Sequence, residues 1–222
     1  MSLPYNDYPQ MKPRDTFRFK CQGCGSCCRH VANSIMVESL DLHRIADYLQ
    51  MDPIEVIDRY MEISAVAWGI PILLMKTASP DVACTFLKDG KCSIYSKRPR
   101  ACKLYPLSIG PDDKLKDFLI FSVSGEQHHF VGRWYRAEEW LNTNFGTVDR
   151  YFVKTEYRFL RECGQIMRRI PRDREEDVVF QMLRWRYFQY DMDRSFLTQY
   201  VDNMQMLKIE LKKLTTRKDE KS

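Results

Sequence analysis

Apolar positions along the chain change their spacing several times, and each change marks an element. Leu42, Ile45, Ala46 and Leu49 recur at three- and four-residue steps, which predicts a helix with one buried stripe. A second helix is expected from Asp52 as cap, with Pro53 in its first turn and Glu55 completing a capping box. Its apolar face would be Ile54, Ile57 and Met61. Ile70 to Met75 is a short continuous apolar run and reads as a buried strand. In CTFLKDGKCSIY the Asp89-Gly90 pair separates two short apolar runs, the pattern of a hairpin turn. Pro99 can open a short helical turn carrying Cys102. PLSIG and FLIFSV, with PDDK between them, read as one more pair of strands.

From Ala137 onward the pattern is helical. TVDRYFVKTEYRFLRECGQIMRRI is one long segment, ended near Pro171. DREEDVVFQMLRWRYFQY is another, with Val179, Leu183, Tyr187 and Tyr190 on one face. In the last, Phe196, Tyr200, Met204, Leu207, Leu211 and Leu214 follow at steps of three and four. That stripe is most simply a packing face; a homodimer seam through this C-terminal helix is the sharper alternative. There are no internal repeats. The expected class is α+β: a flexible arm (1–16), a cysteine-rich metal-binding domain with short strands and helices (17–141), a helical extension (142–214) and a charged tail (215–222).

A chain of 222 residues, 44% apolar and 29% charged, can bury a core without disulfide help. The net charge of +5 is mildly basic and lacks a dense basic stripe, so nucleic acid is not an expected partner. Arg168, Arg169, Arg172 and Arg174, and the lysines after Lys208, read as a solvated face and a frayed tail. The N-terminal stretch shows no secretory pattern, and no apolar run reaches membrane-spanning length. AVAWGIPILLM is too short and carries Gly69 and Pro71. The expected setting is the reducing cytoplasm, off the membrane, with a protein partner of unknown identity. There, clustered thiols hold metal more often than disulfides.

The eight cysteines are unevenly placed. Cys21, Cys24, Cys27 and Cys28 fall within eight residues, and Cys84, Cys92 and Cys102 form a second group. Cys163 stands alone on the long helix and reads as a buried or incidental thiol. Two-residue gaps let successive sulfurs converge on one centre. Gly23 and Gly25 permit positive φ, so backbone N–H groups can turn toward the thiolates. Adjacent side chains diverge, so Cys27 and Cys28 would serve different sides of the site. A hairpin at Asp89-Gly90 would carry Cys84 and Cys92 to one end of its ribbon. The opening C-x2-C-x2-C is ferredoxin-like but lacks the x3-C-P continuation, so a fourth ligand must come from elsewhere. Four of these cysteines would hold a 4Fe–4S iron–sulfur cluster; seven would also suit two zincs sharing a thiolate, and tetrahedral thiolate sites discriminate poorly between the two.

CQGCGSCC, followed by CTFLKDGKCSIYSKRPRACKLYP and GRWYRAEEWL, resembles the YkgJ-type cysteine-cluster family over about residues 17–141. Its members are described as zinc- or iron-chelating, or as iron–sulfur proteins. The resemblance implies chelation by Cys21, Cys24, Cys27, Cys28, Cys84, Cys92 and Cys102. Many members carry a further cysteine before a glycine, where this chain reads Ser124-Gly125. His30, His128 or His129 could replace that ligand. Flagellin lysine N-methylases share a similar cysteine pattern, which implies an S-adenosylmethionine-dependent methylase as a further alternative; no glycine-rich nucleotide loop accompanies it.

Other candidates are fewer. Arg98 and Arg100 lie beside the second cysteine group and could hold an anionic ligand, balance thiolate charge or remain surface arginines. Trp134, Tyr135 and Trp140 could line a pocket, or pack as core.

Overall fold

The computed structural model describes residues 9–216, except 33, 67–69, 79–81, 113, 115 and 124, and omits the side chains of 65 and 66. Half of the expected arm, most of the charged tail, and Ser124 therefore lie outside the described residues. The class is α+β, with many short strands toward the N-terminus and mostly helix after Thr147. The chain divides into two compact units: Met1–Met36 with Met75–Lys154, and Val37–Leu74 with Thr155–Ser222.

The first unit contains all seven clustered cysteines. LSIGP and FLIFS form the expected antiparallel pair, Leu107–Pro111 with Phe118–Ser122, and Gln10–Met11 adds a third strand beside Phe118–Ser122. Ile109 faces Ile120 in this register, and both are buried. Thr16–Arg18 pairs antiparallel with Trp134–Arg136 across a long stretch of chain, in the register Thr16↔Arg136 to Arg18↔Trp134. The helix Ala137–Asn144 follows, and Trp140 Nε1 donates to the Leu104 carbonyl at 2.9 Å. That bond fixes the short Arg100–Leu104 helix, which carries Cys102 behind Pro99 as expected. Leu87–Lys88 and Lys91–Cys92 form the hairpin; Asp89 and Gly90 both take positive φ, 49° and 74°, the geometry a two-residue turn requires.

In the second unit the helix Ser39–Leu49 buries Leu42, Ile45 and Ala46. Asp52 caps Pro53–Tyr60 by accepting from the Ile54 N–H at 2.8 Å. The capping box belongs to the first helix, between Glu38 and Asp41. The apolar face of the second also differs from expectation: Ile54 is 55% exposed, and Val56 joins Ile57 in the core. Met61 is buried but starts a strand, Met61–Val66. Ile70–Met75 is central in a sheet with Met61–Val66 and Met36–Val37.

The long helix is Thr147–Met167. In Glu175–Leu183 the buried residues are Val178 and Met182, one position before the expected Val179 and Leu183. The helix widens into a π turn over Arg184–Phe188, which inserts a residue per turn and shifts the face; Tyr187 is buried as expected. In Phe196–Leu214 the stripe Phe196, Tyr200, Met204, Leu207 and Leu211 is buried. A polar knot sits within this unit. Arg186 donates from Nε and Nη2 to Glu156 Oε1 at 3.2 and 2.7 Å, and from Nη1 to the Pro71 carbonyl at 2.8 Å. Tyr200 donates to the other Glu156 oxygen. Among the described residues no helix is long and apolar enough to cross a membrane.

Candidate metal centre

Backbone pairing brings the cysteine loop to its partners. Beyond the Thr16–Arg18 strand, Phe19 N–H donates to the Arg133 carbonyl at 3.2 Å and Lys20 N–H to the His129 carbonyl at 2.9 Å. Cys21 therefore enters the loop beside the turn Gln127–His129. Gly23 and Gly25, at φ 64° and 71°, curl the loop, and Ser26–Cys28 closes it as a single 3-10 turn. A Cβ on Gly25 would lie 2.6 Å from the Gly90 carbonyl oxygen and 2.8 Å from Leu87 Cδ1. The loop thus rests directly on the hairpin turn, and the two cysteine groups meet there.

Five thiols of the two groups are close enough to act on one another. Cys27 is hydrogen-bonded to Cys28, so the adjacent pair meets rather than diverging as expected; Cys28 feels the charges of Cys102 and Cys92, Cys84 those of Cys92 and Cys27, and Cys92 that of Cys27. Sharing one proton holds Cys27 below the ordinary thiol range and pushes Cys28 far above it, with burial adding to the rise in Cys28. Burial also raises Cys84 and Cys92. The backbone opposes that cost: Phe86 N–H donates to Cys84, Ile94 N–H to Cys92, and Ser26 N–H to Cys24, each two residues ahead. Such N–H dipoles favour the thiolate, the form that binds metal. The Arg98 guanidinium lies 4.0 Å from the Tyr95 ring centre, and its charge opposes the rise in Cys92. Arg100 is buried, and Cys21 is exposed. Cys84 pairs with Thr77 and Cys92 with Leu87, so the two thiols sit on successive ribbons rather than opposite one another.

Cys24 has different company, although it and His129 also act on Cys27 through their charges. The Cys24 Sγ lies 3.3 Å from His128 Nε2, 3.2 Å from His129 Nε2 and 3.2 Å from Ser26 Oγ. Hydrogen bonding with His128, Ser26 and His129 lowers its thiol to about 6. Cys24 Sγ and a ring nitrogen of each histidine lie within 4.8 Å of one another. His129 is buried, and its Nδ1 is 3.0 Å from the Tyr105 hydroxyl, which also accepts from the Glu126 N–H at 3.2 Å. Phe19, Tyr105 and Trp140 wall this side, the last two with ring centres 5.7 and 5.2 Å from that of Phe19. Tyr135 packs on Trp140, whereas Trp134 is 60% exposed under Arg18. His30 is exposed at the loop exit and is not part of the trio. Cys163 belongs to the second unit, where burial raises its thiol to about 12. Tyr105 and Ser26 carry no sequence signal of a site role; only the fold places them there.

Residues 20–129 match the family described as CxxCxxCC, a "putative zinc- or iron-chelating domain". This stretch belongs to the YkgJ-type cysteine-cluster family. The family domain runs from the residue before Cys21 to His129, so it spans both cysteine groups, Tyr105 and the histidine pair. An uncharacterized protein of Methanocaldococcus jannaschii is 33% identical over 93 residues, which are 41% of this chain and 46% of that protein. The match thus spans about half the length of that relative. No solved structure matches the chain. The chain thus contains a cysteine-cluster domain of a family described as zinc- or iron-chelating, with a Cys/His group built into it. The donor set fits either metal: soft thiolates supported by backbone N–H groups, with imidazoles at one edge.

Proposed function

We propose that the cysteine-cluster domain holds an iron–sulfur cluster, drawing four thiolates from Cys27, Cys28, Cys84, Cys92 and Cys102. The observation that carries this reading is the mutual influence of these five thiols, from two cysteine groups joined where the Gly25 loop meets the Gly90 turn. Their spacing supports a cluster over a single zinc. One zinc with bonds of about 2.3 Å draws four sulfurs to about 3.8 Å of each other. Among the described residues, only the Cys24–histidine trio brings three donor atoms within 4.8 Å. A cluster spreads its thiolates over separate irons. When bound, such a cluster supplies one-electron transfer. The chain's own part is to offer thiolates stabilised by the Phe86 and Ile94 N–H groups, with Arg98 as countercharge.

Zinc throughout is the second reading, favoured by the mixed Cys/His chemistry around Cys24. Metal and acid-labile sulfide analysis on protein purified without oxygen separates the two. About four irons and four sulfides per chain, with a visible charge-transfer band, are expected. Colourless protein with stoichiometric zinc and no sulfide would overturn the cluster.

A further inference from the structure

We infer that Cys24, His128 and His129 form a second, mononuclear metal site beside the thiolate ring of Cys27, Cys28, Cys84, Cys92 and Cys102, which takes a zinc-class divalent cation and keeps one coordination position open. The inference rests on the reading of this domain as a metal chelator, but not on the cluster.

The geometry fits such a cation. Around a tetrahedral zinc with Zn–S of about 2.3 Å and Zn–N of about 2.05 Å, sulfur and nitrogen lie about 3.5 Å apart. The observed Sγ···Nε2 distances are 3.3 and 3.2 Å, so only a small outward shift admits the ion. Both histidines present Nε2 to the same sulfur. For His129 the Tyr105 hydroxyl occupies the other ring nitrogen, which leaves Nε2 as the ligand atom when Nδ1–H donates to the phenol oxygen. Tyr105 is a positioning residue. Gly125 makes its place: a Cβ there would collide with the Tyr105 hydroxyl.

The donor set also separates this site from the ring. It contributes one thiolate and two neutral imidazoles, whereas the ring is all thiolate. Three protein ligands leave a tetrahedral ion one vacancy, the arrangement of sites that bind water or an exchangeable ligand. Cys24 and His128 are exposed, so that vacancy is open to solvent, while the buried His129 anchors the other side.

The test is cobalt(II) titration of the full chain, with iron and sulfide measured on the same samples. The wild type should show cobalt d–d bands and a thiolate-to-cobalt band, and azide should perturb them through the open position. His128→Ala, a surface change, should weaken this component by more than about 100-fold, beyond the range for losing an outer partner alone. Cys24→Ser should abolish the charge-transfer band, and both variants should keep wild-type iron. His128-insensitive cobalt binding overturns the inference and leaves the cluster standing. Loss of iron in step with cobalt in His128→Ala also overturns it, because the histidine would then serve the ring. His128-dependent cobalt binding in a chain that never holds iron supports the site and removes the cluster.

Discussion

Gly25→Ala tests whether the two cysteine groups are held together by a close backbone approach. Gly23 supplies an internal control, because it shares the left-handed conformation but has open space around it. Gly23 sits at φ 64° with nothing within 4 Å of where an alanine methyl would lie; Gly25 sits at φ 71° with the Gly90 carbonyl oxygen at 2.6 Å and Leu87 Cδ1 at 2.8 Å. Alanine at either place bears the left-handed cost of about 1–2 kcal/mol. At Gly25 the methyl also meets a carbonyl that cannot rotate away, since Gly90 is fixed at φ 74° in a two-residue turn. Overpacking of this kind costs about 1–3 kcal/mol. Gly23→Ala should therefore lose about 1–2 kcal/mol and Gly25→Ala about 2–5 kcal/mol. Relief would come from separating the loop from the hairpin, which pulls Cys27 and Cys28 from Cys84 and Cys92. Metal content should fall in Gly25→Ala and hold in Gly23→Ala. Urea unfolding with and without chelator, beside metal per chain, reads both effects. Equal stability and full metal in the two variants would refute the close approach as the hinge of the site.

Tyr105→Phe removes the hydroxyl from His129 Nδ1 and should weaken cobalt binding at the Cys24–histidine site about 10–100-fold, with ring iron unchanged. Unchanged affinity would remove Tyr105 from the site. Glu156→Leu leaves the buried Arg186 guanidinium without its carboxylate and should cost about 3–5 kcal/mol in urea unfolding. A loss below about 1 kcal/mol would show that the Pro71 carbonyl or water suffices. Burial lowers the His43 imidazole below its usual 6.5, opposed by Asp47 and reinforced by Arg44. The folded state then binds fewer protons than the unfolded one, so this contribution is lost as pH falls through about 6.5. His43→Phe keeps the ring contacts to Phe196 and Tyr190 and should flatten the stability profile between about pH 5 and 7, the range over which histidine titrates. Parallel profiles would refute the assignment.

Local signals were legible wherever one short stretch decides the outcome. Asp52-Pro53 starts a helix because cap and first turn are neighbours, and Asp89-Gly90 turns because both residues tolerate positive φ. The stripe from Phe196 to Leu211 is regular enough to show its buried side. The π turn at Arg184–Phe188 defeats the same reasoning one helix earlier, because a strict 3.6-residue period cannot anticipate an inserted residue. Two-residue strands such as Gln10–Met11 and Thr77–Ala78 are too short to carry any period. The candidate site divides along the same line. The cysteine groups announce themselves through spacing and glycines, and His128 and His129 could be named only as substitutes for a ligand. What brings them to Cys24, across 104 and 105 residues of sequence, is strand pairing. Thr16–Arg18 zips to Trp134–Arg136, and Lys20 N–H then reaches the His129 carbonyl. These are backbone bonds that require no metal. Backbone pairing thus places the Cys24 loop beside the histidine turn, whereas the proposed five-thiol site depends on the loop seating against Gly90. Metal removal should loosen the ring first and leave the histidine turn in place.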